Sequence, residues 1–159
     1  MSESPSGTGA ASIANPGRQA PAAPRLPAGA IEATSPRTWS RSFLATADQV
    51  REARQFLAGV LGSSPLAVDA LTCLSELASN SVRHSSSRRP GGSFAVRASL
   101  HPGVLRVEVE DEGGPWESRR ELDGQGGRGL VVVDGLASDW SISGDGTGNR
   151  TVWFEISYP

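Results

Sequence analysis

Residues 64–84 read SPLAVDALTCLSELASNSVRH and predict the helix around which the rest of the domain is arranged. Ser64 followed by Pro65 is typical of a helix start, because serine caps free backbone N–H groups and proline fits the first helical position. Apolar residues then recur with a helical period, which predicts one buried face. The residues on that face are Ala67, Ala70, Leu71, Leu74, Leu77, Ala78 and Val82.

The opposite side of this predicted helix carries polar groups. A rotation of about 100° per residue places Asp69, Thr72, Cys73, Glu76, Asn80, Arg83 and His84 there. Glu76 and Asn80 are one turn apart and point the same way. A carboxylate and an amide at that spacing could hold a magnesium-bound triphosphate together with a reacting proton. A solvated helix face explains the same residues, and the pattern taken alone favours that simpler interpretation.

The segments on either side of this helix predict a sheet for it to cover. Strands are predicted at residues 38–44, 94–100 and 105–109, followed by a hairpin of 140–142 with 150–156. Further helices are predicted at 47–61 and 129–137. Because strands and helices are mixed without strict alternation, the pattern favours an α+β fold, a two-layer sandwich, over a doubly wound sheet.

Composition divides the chain into two regions. Residues 1–36 are rich in alanine, proline, glycine and serine and contain few large apolar groups. Such a segment cannot bury enough surface to offset the entropy of ordering it, so we predict a disordered tail. Residues 37–159 show the periodic patterns described above and form the predicted domain.

Asp111 stands at the end of an alternating strand pattern. Strict alternation puts it on the same face as Leu105, Val107 and Val109. A carboxylate on a buried face needs partners, and accepting a hydrogen bond from an exocyclic amine is one solution. Gly113, just after it, would let a ligand approach the backbone closely. A strand that ends one residue earlier, with Asp111 in a turn, explains the same residues, and both interpretations stay open.

A glycine-rich segment, GQGGRG at residues 124–129, matches the spacing G-x-G-x-x-G. A dinucleotide-binding fold needs an apolar strand before this motif and a long βαβ unit after it, and neither is present in the sequence. What the segment does predict is a turn that runs into a helix start, where free N–H groups and an arginine could bind phosphate. A flexible loop that happens to precede a helix is the alternative.

Charge and composition exclude several classes of protein. All 15 basic residues are arginines, so a P-loop or protein-kinase lysine is excluded, as is Schiff-base chemistry. One cysteine and two histidines exclude an internal disulfide and argue against structural zinc. The net charge of −2 gives no bulk attraction to nucleic acid or membrane, and no stretch could span a bilayer. We therefore expect a cytoplasmic protein that binds neither directly.

Four segments, taken together and in order, closely resemble the histidine-kinase-like ATPases, also called the GHKL or Bergerat-fold group. They are ELASNSVRHS (76–85), VEVEDEGG (107–114), GGRGLVVV (126–133) and GNRTVW (148–153). Within that group the chain looks like the bacterial anti-sigma-factor serine/threonine kinases and their stand-alone regulatory relatives, over essentially all of residues 38–156. The resemblance implies a mixed sheet with helices on one face, and ATP lying between the helical layer and a lid.

The resemblance also implies roles for individual residues. Asn80 matches the magnesium ligand, and Glu76 matches the general base of the serine kinases. Asp111 matches the carboxylate that receives the adenine amino group, and Gly113 follows it in that motif. The remaining predicted ATP-binding residues are Gly127, Arg128 and Gly129 at the phosphates and Thr151 near adenine. ATP and Mg²⁺ are thus the implied cofactors.

The function implied is that of a kinase that phosphorylates an anti-sigma-factor antagonist of the STAS type and, in its other state, sequesters a sigma factor. A homodimer is a further assembly that the resemblance leaves open. The chain departs from the family pattern at Pro115, which replaces a glycine, and in a short lid at about residues 115–125. The short lid favours an alternative, a non-catalytic ATP-binding partner-switching module.

Overall fold

The computed structural model describes residues 36–114, 128–144 and 148–159. The predicted tail therefore lies outside the described residues apart from Pro36, and so does the predicted lid. In chain order the elements are β1 (Arg37–Leu44), α1 (Ala47–Leu61), α2 (Ala67–His84), a 3-10 turn (Ser86–Arg88), β2 (Ser93–His101), β3 (Val104–Asp111), α3 (Arg128–Leu136), β4 (Asp139–Ser143) and β5 (Arg150–Ser157). They confirm the predicted α+β composition, with boundaries that agree with the predicted ones or differ by at most three residues.

The five strands of the described residues form one sheet in the order β1-β2-β3-β5-β4. Every ladder between described strands is antiparallel, so the expectation of a mixed sheet is wrong in this part of the chain. The reason lies in the strand order. Strands β3 and β4 run in the same direction, but β5 pairs with both and lies between them, which leaves no parallel neighbours.

The core lies between the sheet and the helices, as expected for a two-layer sandwich. Alternate residues of the central strands point into it, and the register aligns them in rows such as Val96, Val109 and Val152. Leu57 of α1 and Leu74 of α2 are fully buried on the helical side. Burying a side chain of this size stabilises the fold by about 1.5–3 kcal/mol, so these rows fix which face of the sheet the helices cover.

Two details of α2 differ from the sequence prediction. The helix begins at Ala67 rather than at Pro65, and the Ser64 hydroxyl instead accepts a hydrogen bond from the N–H of Leu66 in the preceding turn. Cys73, predicted on the polar side, is fully buried. The physical reason is that α2 packs against both α1 and α3 as well as the sheet, so its buried surface is wider than one apolar stripe. No helix of the described residues is long and apolar enough to cross a membrane.

Candidate functional site

The first half of the candidate site is built around Asp111, the last residue of β3. Its register partners are Phe94 on β2 and Arg150 on β5, and all three side chains are buried. Only 3% of the Asp111 surface is exposed. Of the two interpretations of the sequence, the structure therefore supports the one that places this carboxylate on the buried face of the sheet.

Three donors hold the Asp111 carboxylate in place. The Ser81 hydroxyl donates to Oδ2 at 2.7 Å, and Nη2 of Arg150 donates to the same oxygen at 2.8 Å. The backbone N–H of Gly113 donates to Oδ1 at 2.9 Å. Charge-assisted hydrogen bonds of this length are among the stronger ones in proteins. The carboxylate is thus fixed in orientation by a helix, a strand and its own following turn.

The turn after Asp111 is held equally tightly. Gly113 has a φ of +67°, and a β-carbon there would lie 2.0 Å from the carbonyl oxygen of Gly148, so only glycine fits. The N–H of Ser86 donates to the Gly113 carbonyl at 2.6 Å. The buried Ser87 hydroxyl accepts from the N–H of Glu112 at 2.9 Å. The serines that follow α2 thus fix the backbone beside the carboxylate.

The second half of the site lies where α2 meets the start of α3. A β-carbon on Gly129 would lie 2.7 Å from Oε2 of Glu76 and 3.6 Å from Nδ2 of Asn80. The buried Gly129 therefore brings the first turn of α3 directly against both polar side chains. The N–H groups of a first helical turn have no partners within the helix and can bind an anion. A carboxylate, an amide and a helix start thus meet at one place.

This donor set fits a magnesium-bound triphosphate. Mg²⁺ prefers oxygen ligands and is bound by one or two protein groups together with substrate phosphates. Glu76 and Asn80 offer such oxygens beside the start of α3. Across the described ranges, no group of three or more acidic, histidine or cysteine side chains could hold a metal ion on its own. The arrangement therefore suits an ion that arrives with its nucleotide better than a resident one.

Three further predicted residues have different outcomes. Gly127 lies outside the described residues, and Arg128 is described only as the first residue of α3. Thr151 pairs in register with Glu110, on the sheet face that points away from the helices. Its neighbour Arg150 faces Asp111 instead. The structure therefore does not bring Thr151 together with Asp111.

Ser81 and Arg150 were not predicted as site residues, although both interrupt apolar patterns. Ser81 follows Leu77 and Ala78 on the core face of α2, at a position where an apolar residue is expected. Arg150 begins a buried alternation that continues with Val152. A polar group on a core face needs a partner. Searching for a partner for Asp111 among such interruptions would have found both residues.

Cys73 is a fully buried residue of α2. Burial, followed by the negative charges of Asp69 and Glu76, raises the pKa of its thiol to about 12. The thiol is therefore neutral at physiological pH and is a poor nucleophile or metal ligand. Its role is packing in the hydrophobic core.

Comparison with known proteins identifies the family. A family model described as the histidine kinase-like ATPase domain matches residues 43–154. The chain belongs to this family. The matched range includes Glu76, Asn80, Asp111 and Gly129. ATP is therefore the nucleotide that this family of domains implies for the two halves of the site. No curated protein matches the chain.

Solved structures agree on the fold of this histidine kinase-like ATPase domain. One of the twelve matching chains comprises the RsbU and RsbW domains of Rv1364c from Mycobacterium tuberculosis. It superposes with a TM-score of 0.59 at 22% sequence identity, over 76% of this chain and 32% of that one. The present chain thus spans about a third of that protein's structure, and the likeness at this level of identity is one of fold.

Proposed function

We propose that this protein is a serine/threonine kinase of the anti-sigma-factor type, which transfers the γ-phosphoryl group of Mg-ATP to an anti-sigma-factor antagonist of the STAS kind. In its other state it would hold a sigma factor inactive. The observation that carries this proposal is the meeting of Glu76 and Asn80 with the start of α3 at Gly129. The RsbW domain named in the similar structure adds support. Both partners would be met in the cytoplasm.

The two halves of the site divide the work of binding. Asp111 and the turn at Gly113 would receive the adenine amino group, because a buried carboxylate fixed by three donors is a well-oriented acceptor. Gly127, Arg128 and Gly129 would bind the phosphates through backbone N–H groups and the guanidinium. Asn80 would ligate the magnesium ion. When bound, that ion would neutralise charge on the phosphates.

Glu76 would serve as the general base. It would accept the proton of the attacking serine or threonine hydroxyl as the hydroxyl oxygen bonds to the γ-phosphorus. The bond from that phosphorus to the β,γ-bridging oxygen breaks, and ADP leaves. Phosphoryl transfer depends mostly on positioning and charge stabilisation. The proposed role is supported by the position of Glu76, which lies one helical turn from Asn80 and against Gly129 at the start of α3.

A non-catalytic partner-switching module is the second candidate. It is favoured by the short segment at residues 115–125, where Pro115 stands in place of a family glycine. Such a module would bind ATP and partners, in a homodimer or alone, without transferring phosphate. The Glu76 and Asn80 pair favours the kinase, because binding alone does not require a base.

Transfer of label from γ-labelled ATP to candidate antagonists separates the two. We expect Glu76→Gln to reduce transfer by about 10²–10⁴-fold and to change ATP affinity by less than about threefold. Glu52→Gln, a carboxylate of α1, is the matched control and should keep full transfer. Binding of ATP by the wild type without transfer to any antagonist would establish the module. Loss of ATP binding in Glu76→Gln would show that Glu76 belongs to the nucleotide pocket and is not the base.

A further inference from the structure

The Asp111 carboxylate has a limited number of free acceptor positions. An ionised carboxylate offers about four lone-pair sites, two on each oxygen. Ser81 and Arg150 both donate to Oδ2, and Gly113 donates to Oδ1. Within the described part of the chain, three of the four sites are therefore used. The described donors leave one lone pair free for a ligand, on Oδ1, while both lone pairs of Oδ2 are in use.

The donors on Oδ2 are not easily displaced. Ser81 is 2% exposed and lies on a helix that is packed on several sides, and Arg150 is 6% exposed. Moving the Arg150 guanidinium away would leave a buried carboxylate without its cation, which is strongly unfavourable. The turn at Gly113 is fixed as well, by its contacts with Ser86 and Gly148. The pattern of free and used lone pairs is therefore a fixed property of the site.

This pattern discriminates between purines. Adenine presents a single amino group at the edge that meets a carboxylate, and one N–H fits one free lone pair. Guanine presents two adjacent N–H donors, at N1 and N2, which pair with a carboxylate only when both oxygens can accept. With Oδ2 saturated, one guanine donor would be buried without a partner. Such a mismatch weakens binding by about 5- to 150-fold.

We propose that Ser81 and Arg150 determine the nucleobase specificity of this protein, because they saturate one oxygen of Asp111 and leave it able to accept a single donor. This inference rests on the proposed function, in which Asp111 receives the base. It assigns to these residues a role in selecting adenine over guanine nucleotides, in addition to holding the carboxylate in place.

The test compares three nucleotides, ATP, GTP and ITP, by calorimetry on the full chain with magnesium. ITP shares the O6 of GTP but lacks the amino group at C2, so it offers one N–H where GTP offers two. The wild type should bind ATP tightest and should bind GTP more weakly than ITP. In Ser81→Ala one lone pair of Oδ2 becomes free. The ratio of the GTP to the ATP dissociation constant should then fall about tenfold, while the ratio for ITP changes less than about threefold.

Ser79→Ala, which removes a hydroxyl two residues away on α2, is the control and should leave all three affinities unchanged. If the wild type binds GTP as tightly as ITP, or more tightly, the inference is overturned. This comparison needs no variant, so the inference can be tested even if Ser81→Ala fails to fold. An unchanged GTP to ATP ratio in folded Ser81→Ala also overturns it and leaves the proposed function standing. Absence of binding of any nucleotide by the wild type overturns both.

Discussion

Removing the guanidinium of Arg150 should destabilise the domain far more than removing any exposed arginine. Its side chain is 7% exposed, that of Asp111 is 1% exposed, and the two are joined at 2.8 Å. In Arg150→Met the carboxylate keeps Ser81 and Gly113 as donors but loses its cation. Water cannot replace that cation at such low exposure, so the carboxylate is left buried and charged without the Arg150 cation.

The size of the effect follows from this burial. Breaking a buried ion pair by removing one partner destabilises by about 3–5 kcal/mol, and the two remaining donors place Arg150→Met at the lower end, at about 3 kcal/mol. For a domain of this size the melting temperature should fall by about 10–20 °C. Adding Asp111→Asn removes the buried charge, so the double variant should recover about 1–2 kcal/mol relative to the sum of the single variants.

Urea unfolding monitored by circular dichroism measures these free energies for the four members of the cycle. Arg97→Met is the matched control, since Arg97 contacts Glu108 at 3.8 Å on the outer sheet face with 60% of its side chain exposed. That variant should lie within about 0.5 kcal/mol of the wild type. A loss in Arg150→Met no larger than in Arg97→Met would refute the reasoning, as would strictly additive effects in the cycle.

Outcomes for four further residues follow from the structure. Gly129→Ala should reduce label transfer about 100-fold, because the added β-carbon would displace the Glu76 carboxylate. The melting temperature of this variant should stay near that of the wild type. Label transfer at the wild-type level would contradict the prediction. Asp111→Asn should weaken ATP binding by about 1–3 kcal/mol, as measured by calorimetry, and unchanged affinity would count against its assignment to the base. Asn80→Ala should make ATP binding insensitive to a magnesium chelator in the same assay. Binding that still depends on magnesium would count against the assignment of Asn80. Cys73, whose thiol pKa is raised from 9.0 to about 12, should resist iodoacetamide at pH 8 until the protein unfolds. Its contribution to stability should be complete below pH 9 and lost as the pH rises towards 12, and rapid alkylation of folded protein would refute the burial.

The sequence predicts the elements well because their periods are unambiguous. Alternation identified β2 and β3, the hairpin pattern identified β4 and β5, and a long apolar stripe identified α2. These patterns do not predict the order of the strands in the sheet. That β5 lies between β3 and β4 depends on long-range pairing, and local periodicity carries no information about it. The expectation of a mixed sheet came from the family resemblance, and it is wrong for the described strands.

Candidate site residues were easiest to select where a single element carries them. Glu76 and Asn80 share one helix face, and Asp111 ends one strand, so their spacing together with the family resemblance selected them, and the structure brings Glu76 and Asn80 together against Gly129. Selection failed for Arg150 because the deciding contact joins two strands whose pairing is not local. Thr151 was chosen over its neighbour by motif matching, and a shift of one residue on a strand moves a side chain to the opposite face of the sheet.

Helix α2 contributes Asn80 to one half of the site and the adjacent Ser81 to the other. The relative orientation of the two halves therefore depends on the helical spacing of consecutive residues in α2. Inserting or deleting one residue between positions 76 and 81 would rotate Glu76 relative to Ser81 by about 100°, a change that no loop could absorb. Length variation in related sequences should be absent from residues 76–81, and any engineering that changes the distance between the base and phosphate sites must be done outside α2.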